Sequence, residues 1–291
     1  MIGQLIAILA PLFLIAGVGY FYGARVQPEM RITNQLIMDV FMPALILSVM
    51  VRDDFFPSQY LALMLAGTGV MLGSGLVATL VAKLMSFNWR SFVPPAMFSN
   101  WANLGIPLYV LTLGDAALGS GIMLVVIGNI LCFTLGTVIY SGRLSGLEVL
   151  RTPIIIAVVI GGAINLLEVR LAEPLIQTIT LLGQVVIPLM LFSLGVRLTH
   201  VSFSDAKEGL VMAVLCPLIG VPLALLFLEL VPLSPLHAKI LILFSVLPPA
   251  VVNFMLAEQY QQDPDKVASM VLIGNLMAIV SLPLVLWLVL R

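Results

Sequence analysis

The chain reads as a series of ten apolar stretches, each long enough to cross a lipid bilayer, and no other feature constrains its fold as strongly. A membrane-spanning helix needs about 20 mostly apolar residues to cross a hydrocarbon core of about 30 Å. Segments 3–23, 33–51, 59–82, 94–113, 119–141, 152–168, 173–196, 208–230, 238–258 and 267–290 meet that requirement, and the links between them are short. Helices are the expected form, because a bilayer offers no partner to a stray backbone N–H or C=O. Composition agrees. The chain is 61% hydrophobic and only 9% charged, where a soluble domain carries roughly 25% charged residues. The expectation is an all-α polytopic membrane protein whose activity lies within the membrane. A net charge of −1 supplies no basic field for nucleic acid. Cys132 and Cys216 both fall inside apolar segments and read as small core residues.

Lys and Arg set the expected orientation. Arg25, Arg31, Lys83, Arg90, Arg143, Arg151, Arg197, Lys207 and Lys266 fall on one side, and Arg52, Arg170, Lys239 and Arg291 on the other. The side with nine should be cytoplasmic. Both termini are then expected on the non-cytoplasmic side of a cell (inner) membrane.

The chain also repeats itself. Leu36–Arg52 in span 2 and Leu181–Arg197 in span 7 align at a shift of 145, sharing Val40/Val185, Pro43/Pro188, Ser48/Ser193, Val51/Val196 and Arg52/Arg197. Span 5 contains VVIGN ending at Asn129, and span 10 contains VLIGN ending at Asn275, a shift of 146. Two nearly equal shifts on distant spans indicate a duplication, with repeats at 1–145 and 146–291. Five spans per copy is an odd number, so the second copy enters from the opposite face. Inverted repeats of this kind are typical of secondary transporters, whose sites lie near the midplane where the repeats meet.

Spans 4 and 9 carry matched weak points. Span 4 has Asn100, Asn103, Gly105 and Pro107, and span 9 has Pro248, Pro249 and Asn253. Gly and Pro weaken a helix, and Pro also removes a donor. Half-helices ending at mid-bilayer direct the partial positive charge of their N-termini at a bound anion. We therefore expect spans 4 and 9 to be broken and to cross. Asn100, Asn103, Gly105, Pro107, Pro248, Pro249 and Asn253 are the expected substrate-binding residues, joined by the repeat-matched amides Asn129 and Asn275. Asp39, the acidic residue well inside span 2, is the candidate for proton coupling, since an intramembrane carboxylate is costly and usually functional. His200 and His237 have no metal-ligand spacing, and no phosphate-binding loop, zinc-protease motif or nucleophile elbow occurs. No catalytic residue, cofactor or metal is expected, and an enzyme is not.

The Phe41-Met42-Pro43-Ala44-Leu45-Ile46-Leu47 run of span 2, the Asn103-x-Gly105-x-Pro107 of span 4 and the Pro249-Ala250, Asn253, Leu256-Ala257-Glu258 and Tyr260 pattern of span 9 resemble the auxin efflux carrier family. The likeness extends over essentially the whole chain. Bacterial members are taken to be malate, malonate or other organic-anion permeases, and plant members are the PIN auxin exporters. The resemblance implies a fold shared with bile acid/sodium symporters and sodium/proton antiporters. Spans 1, 2, 6 and 7 would form a scaffold, and spans 3–5 and 8–10 a moving transport unit. It also implies a homodimer formed through the scaffold. The long loop of plant PIN proteins is missing here, where only Gly142–Arg151 joins spans 5 and 6.

The expected function is thus a secondary carrier of a small organic anion, a mono- or dicarboxylate that is auxin-like or malate-like. Its partners are that substrate and the lipid bilayer. Two rivals stand beside it: a sodium- or proton-coupled symporter of the bile acid type, and a membrane sensor that binds a metabolite without moving it.

Overall fold

The computed structural model describes residues 2–52, 55–142, 151–200 and 206–289. Arg143, Arg291 and the boundary between residues 145 and 146 lie outside them. Among the described residues every regular element is helical, and the one extended feature is an isolated antiparallel bridge between Ser99 and Pro249. The helices are α1 (Ile2–Val26), α2 (Met30–Leu36), α3 (Met42–Met50), α4 (Leu61–Met85), α5 (Trp89–Met97), α6 (Ile106–Leu113), α7 (Leu118–Leu131), α8 (Thr137–Ser141), α9 (Pro153–Leu166), α10 (Glu173–Gln184), α11 (Val186–Arg197), α12 (Ala206–Leu230), α13 (Pro235–Ser245), α14 (Val252–Gln259) and α15 (Pro264–Val289). Among the described residues, six helical stretches are long and apolar enough to cross a membrane: Met30–Met50, Ser58–Met85, Asp115–Ser141, Glu173–Arg197, Ala206–Leu230 and Pro264–Trp287. Shorter apolar helices cover Ala10–Val26, Trp101–Leu113, Pro153–Leu166 and Pro235–Ser245. The described residues thus form an all-helical fold with the several apolar spans of a multi-pass membrane protein.

The longer stretches bend where wider turns are inserted. π-helical turns occupy Ile37–Phe41, Trp101–Gly105 and Cys132–Gly136. Each adds a residue to the turn and rotates the side chains that follow it, a device often found at functional sites. Pro43 and Pro107 lie in the first turn of α3 and α6, immediately beyond two of these π turns. Each helix runs on from its π turn, and a widened turn just before a proline is one way a helix absorbs the missing N–H and the kink.

The helices pack in two groups. In one, α1 lies along α11, and α3 lies between α9 and α10. In the other, α12 packs on α15 and α4, α4 on α5, α13 on α12 and α15, and α14 on α15. Glycines permit the closest approaches. A Cβ on Gly195 would lie 1.8 Å from the Ala16 carbonyl oxygen, so α1 and α11 touch backbone to backbone. A Cβ on Gly220 would lie 1.8 Å from the Ser245 carbonyl oxygen, where α12 meets the end of α13. The glycine-rich face of α4 receives larger side chains, Phe227 over Gly69 and Met97 over Gly75.

Candidate functional site

Two interrupted helices meet at the centre of the second group. α5 ends at Met97 and the chain unwinds through Phe98 (φ −105°, ψ 88°) and Asn100 (φ −82°, ψ 53°) before the π turn leads into α6. α13 ends at Ser245 and α14 begins at Val252, with Pro248 and Pro249 between them. The second break falls at its prolines. The first lies upstream of Gly105 and Pro107, which belong to the helical restart, and what unwinds is Phe98–Asn100.

Each unwound strand satisfies the other. The Asn100 N–H donates to the Pro248 carbonyl at 2.7 Å, and the Ala250 N–H donates to the Phe98 carbonyl at 2.9 Å. These bonds form the Ser99–Pro249 bridge. A buried backbone group without a partner costs about 1–3 kcal/mol, and here the two breaks supply each other's partners in place of water. Side-chain amides complete the junction. Asn253 Nδ2 donates to the Phe98 carbonyl at 2.8 Å and to the Ala250 carbonyl at 2.9 Å. Asn275 Nδ2 donates to the Pro249 carbonyl at 3.0 Å and to the Val271 carbonyl at 2.8 Å, and Asn275 Oδ1 accepts from Asn100 Nδ2 at 2.9 Å. The Asn100 carbonyl accepts from the N–H groups of Leu104 and Gly105.

The nine residues singled out in the sequence therefore divide. Asn100, Pro248, Pro249, Asn253 and Asn275 are bonded into the junction. Gly105 and Pro107 lie beside it, and a Cβ on Gly105 would come within 3.0 Å of Leu247 and 3.1 Å of the Tyr109 hydroxyl. Asn103 and Asn129 are different, because among the described residues neither side-chain amide takes a hydrogen bond. Asn103 is half-buried in the π turn and Asn129 is buried on α7. Asp39 lies elsewhere, exposed in the π turn between α2 and α3.

Aromatic packing holds the junction rigid. Trp101 stacks on Phe244 at 6.3 Å and meets Phe98 edge-on at 6.1 Å. A Cβ on Gly128 would lie 2.6 Å from the Trp101 indole, so Trp101 is clasped between α7 and α13 and faces the interior.

A cleft of about 650 Å³ opens between the two groups of helices. Leu12, Phe13, Ala16, Gly17 and Tyr20 of α1 form one wall with Leu194, Leu198 and Thr199, and Asn275 to Leu282 of α15 form the other with Leu104. Its volume lies in the range that small-molecule sites occupy. The lining is mostly apolar, and Asn275 brings the junction to its surface. The apolar positions on α1 gave no sequence signal, because a cleft-lining Leu and a lipid-facing Leu look alike in a chain this hydrophobic.

A bilayer-length helical fold with a cleft reaching paired helix breaks is of the kind a membrane transport protein uses. The sequence model of the family described as "Membrane transport protein" matches residues 140–286, half of the chain, and the chain belongs to this family, of the auxin efflux carrier type. No curated protein matches it.

Proposed function

We propose that this protein is a secondary carrier of a small organic anion, a mono- or dicarboxylate, with its site where the cleft reaches the crossing of the two broken spans. The observation that carries this reading is the division among the amides. The junction satisfies its own backbone with Asn100, Asn253 and Asn275, and it leaves Asn103 and Asn129 unbonded beside it. The helical segments that restart at Trp101 and Val252 both begin at this point, and their N-terminal N–H groups and dipoles favour negative charge.

Within this reading the chain makes ten spans in two inverted copies. The Ser99–Pro249 bridge is antiparallel, and its two hydrogen bonds exchange under a local two-fold with an offset of 249 minus 99, or 150, which supports Asn253 as the counterpart of Asn103. Asn253 uses its amide to hold the Phe98 carbonyl of the other arm. Asn103 lies in a π turn that its counterpart lacks, and the inserted residue leaves its amide free for a ligand. The second helical group would act as the transport unit and move against α1, α3, α9, α10 and α11, driven by the membrane potential or a proton gradient. The cytoplasm would adjoin the side rich in Lys and Arg, and the termini the other side of the cell membrane.

Gln35, Asp39 and Gln184 are exposed on bilayer-length helices of the first group. Polar groups facing lipid are costly, which supports a second copy covering this face as a homodimer. Asp39 is the proton-coupling candidate on the same surface.

Uptake of labelled malate and phenylacetate by proteoliposomes tests the proposal. Saturable flux of either supports a carrier. Binding without flux would make the protein a sensor instead.

A further inference from the structure

α11 carries two polar groups that the rest of the protein leaves unanswered. Val186, Met190, Ser193 and Arg197 occur at positions i, i+4, i+7 and i+11, which places them along one face of the helix. That face is turned away from α1, which packs instead on Phe192, Gly195, Val196 and Thr199. Ser193 Oγ and Arg197 Nη1 are both buried, and neither has a hydrogen-bond partner among the described residues. They stand one helical turn apart. Leu194 and Leu198, which flank Arg197 on the helix, line the cleft.

The duplication supplies an internal control. Ser48 and Arg52 are the counterparts of Ser193 and Arg197 in the first copy. Ser48 Oγ donates to the Leu45 carbonyl at 2.8 Å, the usual local bond of a helical serine. Arg52 is exposed at the end of its helix and has a partner. Arg197 lies in the last turn of α11, where the helix dipole favours a cation, whereas Arg52 lies just beyond the end of α3. The dipole does not account for a buried guanidinium nitrogen with no acceptor. Arg197 is half-buried as a residue, and Nη1 is its one shielded nitrogen without an acceptor. An unpaired buried donor is costly, and it is understandable where the missing partner is a ligand.

We infer that Ser193 and Arg197 form an anion-recognition pair on α11, binding the carboxylate of the carried substrate beside the cleft. The inference rests on the carrier reading above. The guanidinium fork presents parallel donors that match the two oxygens of a carboxylate, and the serine hydroxyl adds one further donor. The apolar cleft wall at Leu194 and Leu198 would take the body of the same molecule. A carboxylate is thus recognised from the first helical group as well as from the crossing, and the two helical groups are bridged when the substrate is bound.

The test uses the full-length protein in detergent, with L-malate and phenylacetate as probes, and measures affinity together with the melting temperature of the ligand-free form. Arg197→Met should lower affinity for the bound carboxylate roughly 10- to 100-fold, as expected for loss of a charge-assisted bond. It should also raise the ligand-free melting temperature by about 3 °C, because an unpaired buried donor is removed. Arg197→Lys should recover part of the affinity, and Ser193→Ala should lose about 3- to 10-fold. Unchanged affinity in Arg197→Met, or a fall in its ligand-free melting temperature, overturns the inference. Affinity lost in Asn103→Ala but kept in Arg197→Met leaves the carrier reading standing and removes this pair from it. A wild type that binds neither carboxylate contradicts the carrier reading itself, and this inference with it.

Discussion

Asn100 Nδ2 donates to Asn275 Oδ1 across 2.9 Å in the buried centre of the molecule, joining residues 175 positions apart. Asn275 in turn holds the Pro249 carbonyl of the second break. One amide therefore fixes both interrupted helices to α15. Asn275→Ala leaves Asn100 Nδ2 and the Pro249 carbonyl without this partner, at a cost of about 2–3 kcal/mol. Asn103→Ala breaks no hydrogen bond and should stay within about 0.5 kcal/mol of wild type. Thermal or denaturant unfolding in detergent checks the contrast, and equal losses in the two variants would contradict it.

Gly195 and Gly17 offer a test of the contact between α1 and α11. A methyl on Gly195 would meet the Ala16 carbonyl oxygen at 1.8 Å, while one on Gly17 meets nothing within 4 Å. Gly195→Ala should cost about 3 kcal/mol or more through overpacking. Gly17→Ala should be neutral or stabilising by up to about 1 kcal/mol, the gain in helix propensity. Melting temperatures of the two variants decide the matter, and a well-folded Gly195→Ala would show that the helices are not in backbone contact.

Asp263 ties the start of α5 to the link between α14 and α15. Its Oδ2 accepts from Asn88 Nδ2 at 2.7 Å and from Ser91 Oγ at 3.0 Å. Asn88 is exposed, so water competes for the carboxylate, and Asp263→Ala should cost only about 1 kcal/mol. Because Asp263 and Ser91 share a bond, Asp263→Ala and Ser91→Ala should combine to less than the sum of their separate costs. Full additivity in the double variant would show that the bond contributes nothing.

Much of this architecture was legible from spacing alone. The bilayer-length segments follow from hydropathy, and the break at Pro248–Pro249 from the missing proline N–H. The first break was harder to place. Gly105 and Pro107 drew attention, yet Pro107 is accommodated in the first turn of α6 and the chain opens at Phe98–Asn100 instead. Its unwinding is set by pairing with a strand about 150 residues away, and long-range pairing leaves no local pattern. The amides could be counted but not sorted into bonded and free, since that depends on the π turn at Trp101–Gly105. Ser193 and Arg197 align with Ser48 and Arg52 in the sequence, but that alignment does not show that Ser48 bonds the Leu45 carbonyl and Arg52 is exposed, while Ser193 Oγ and Arg197 Nη1 are shielded without a partner.

Asp39 is a titratable carboxyl on a bilayer-length helix, exposed beside a π turn. If protons drive transport through it, Asp39→Asn should abolish the dependence of flux on an imposed pH gradient while flux driven by the substrate gradient persists. An unchanged response to the pH gradient would assign coupling to another group.

The central claim is that the substrate meets the amide which the crossing leaves free. Flux of malate or phenylacetate into proteoliposomes, compared for wild type and Asn103→Ala at matched folded protein, tests it most directly. Wild-type flux with a loss of roughly 10-fold or more in Asn103→Ala, at an unaltered melting temperature, is the predicted result. Equal flux in the two proteins would contradict it.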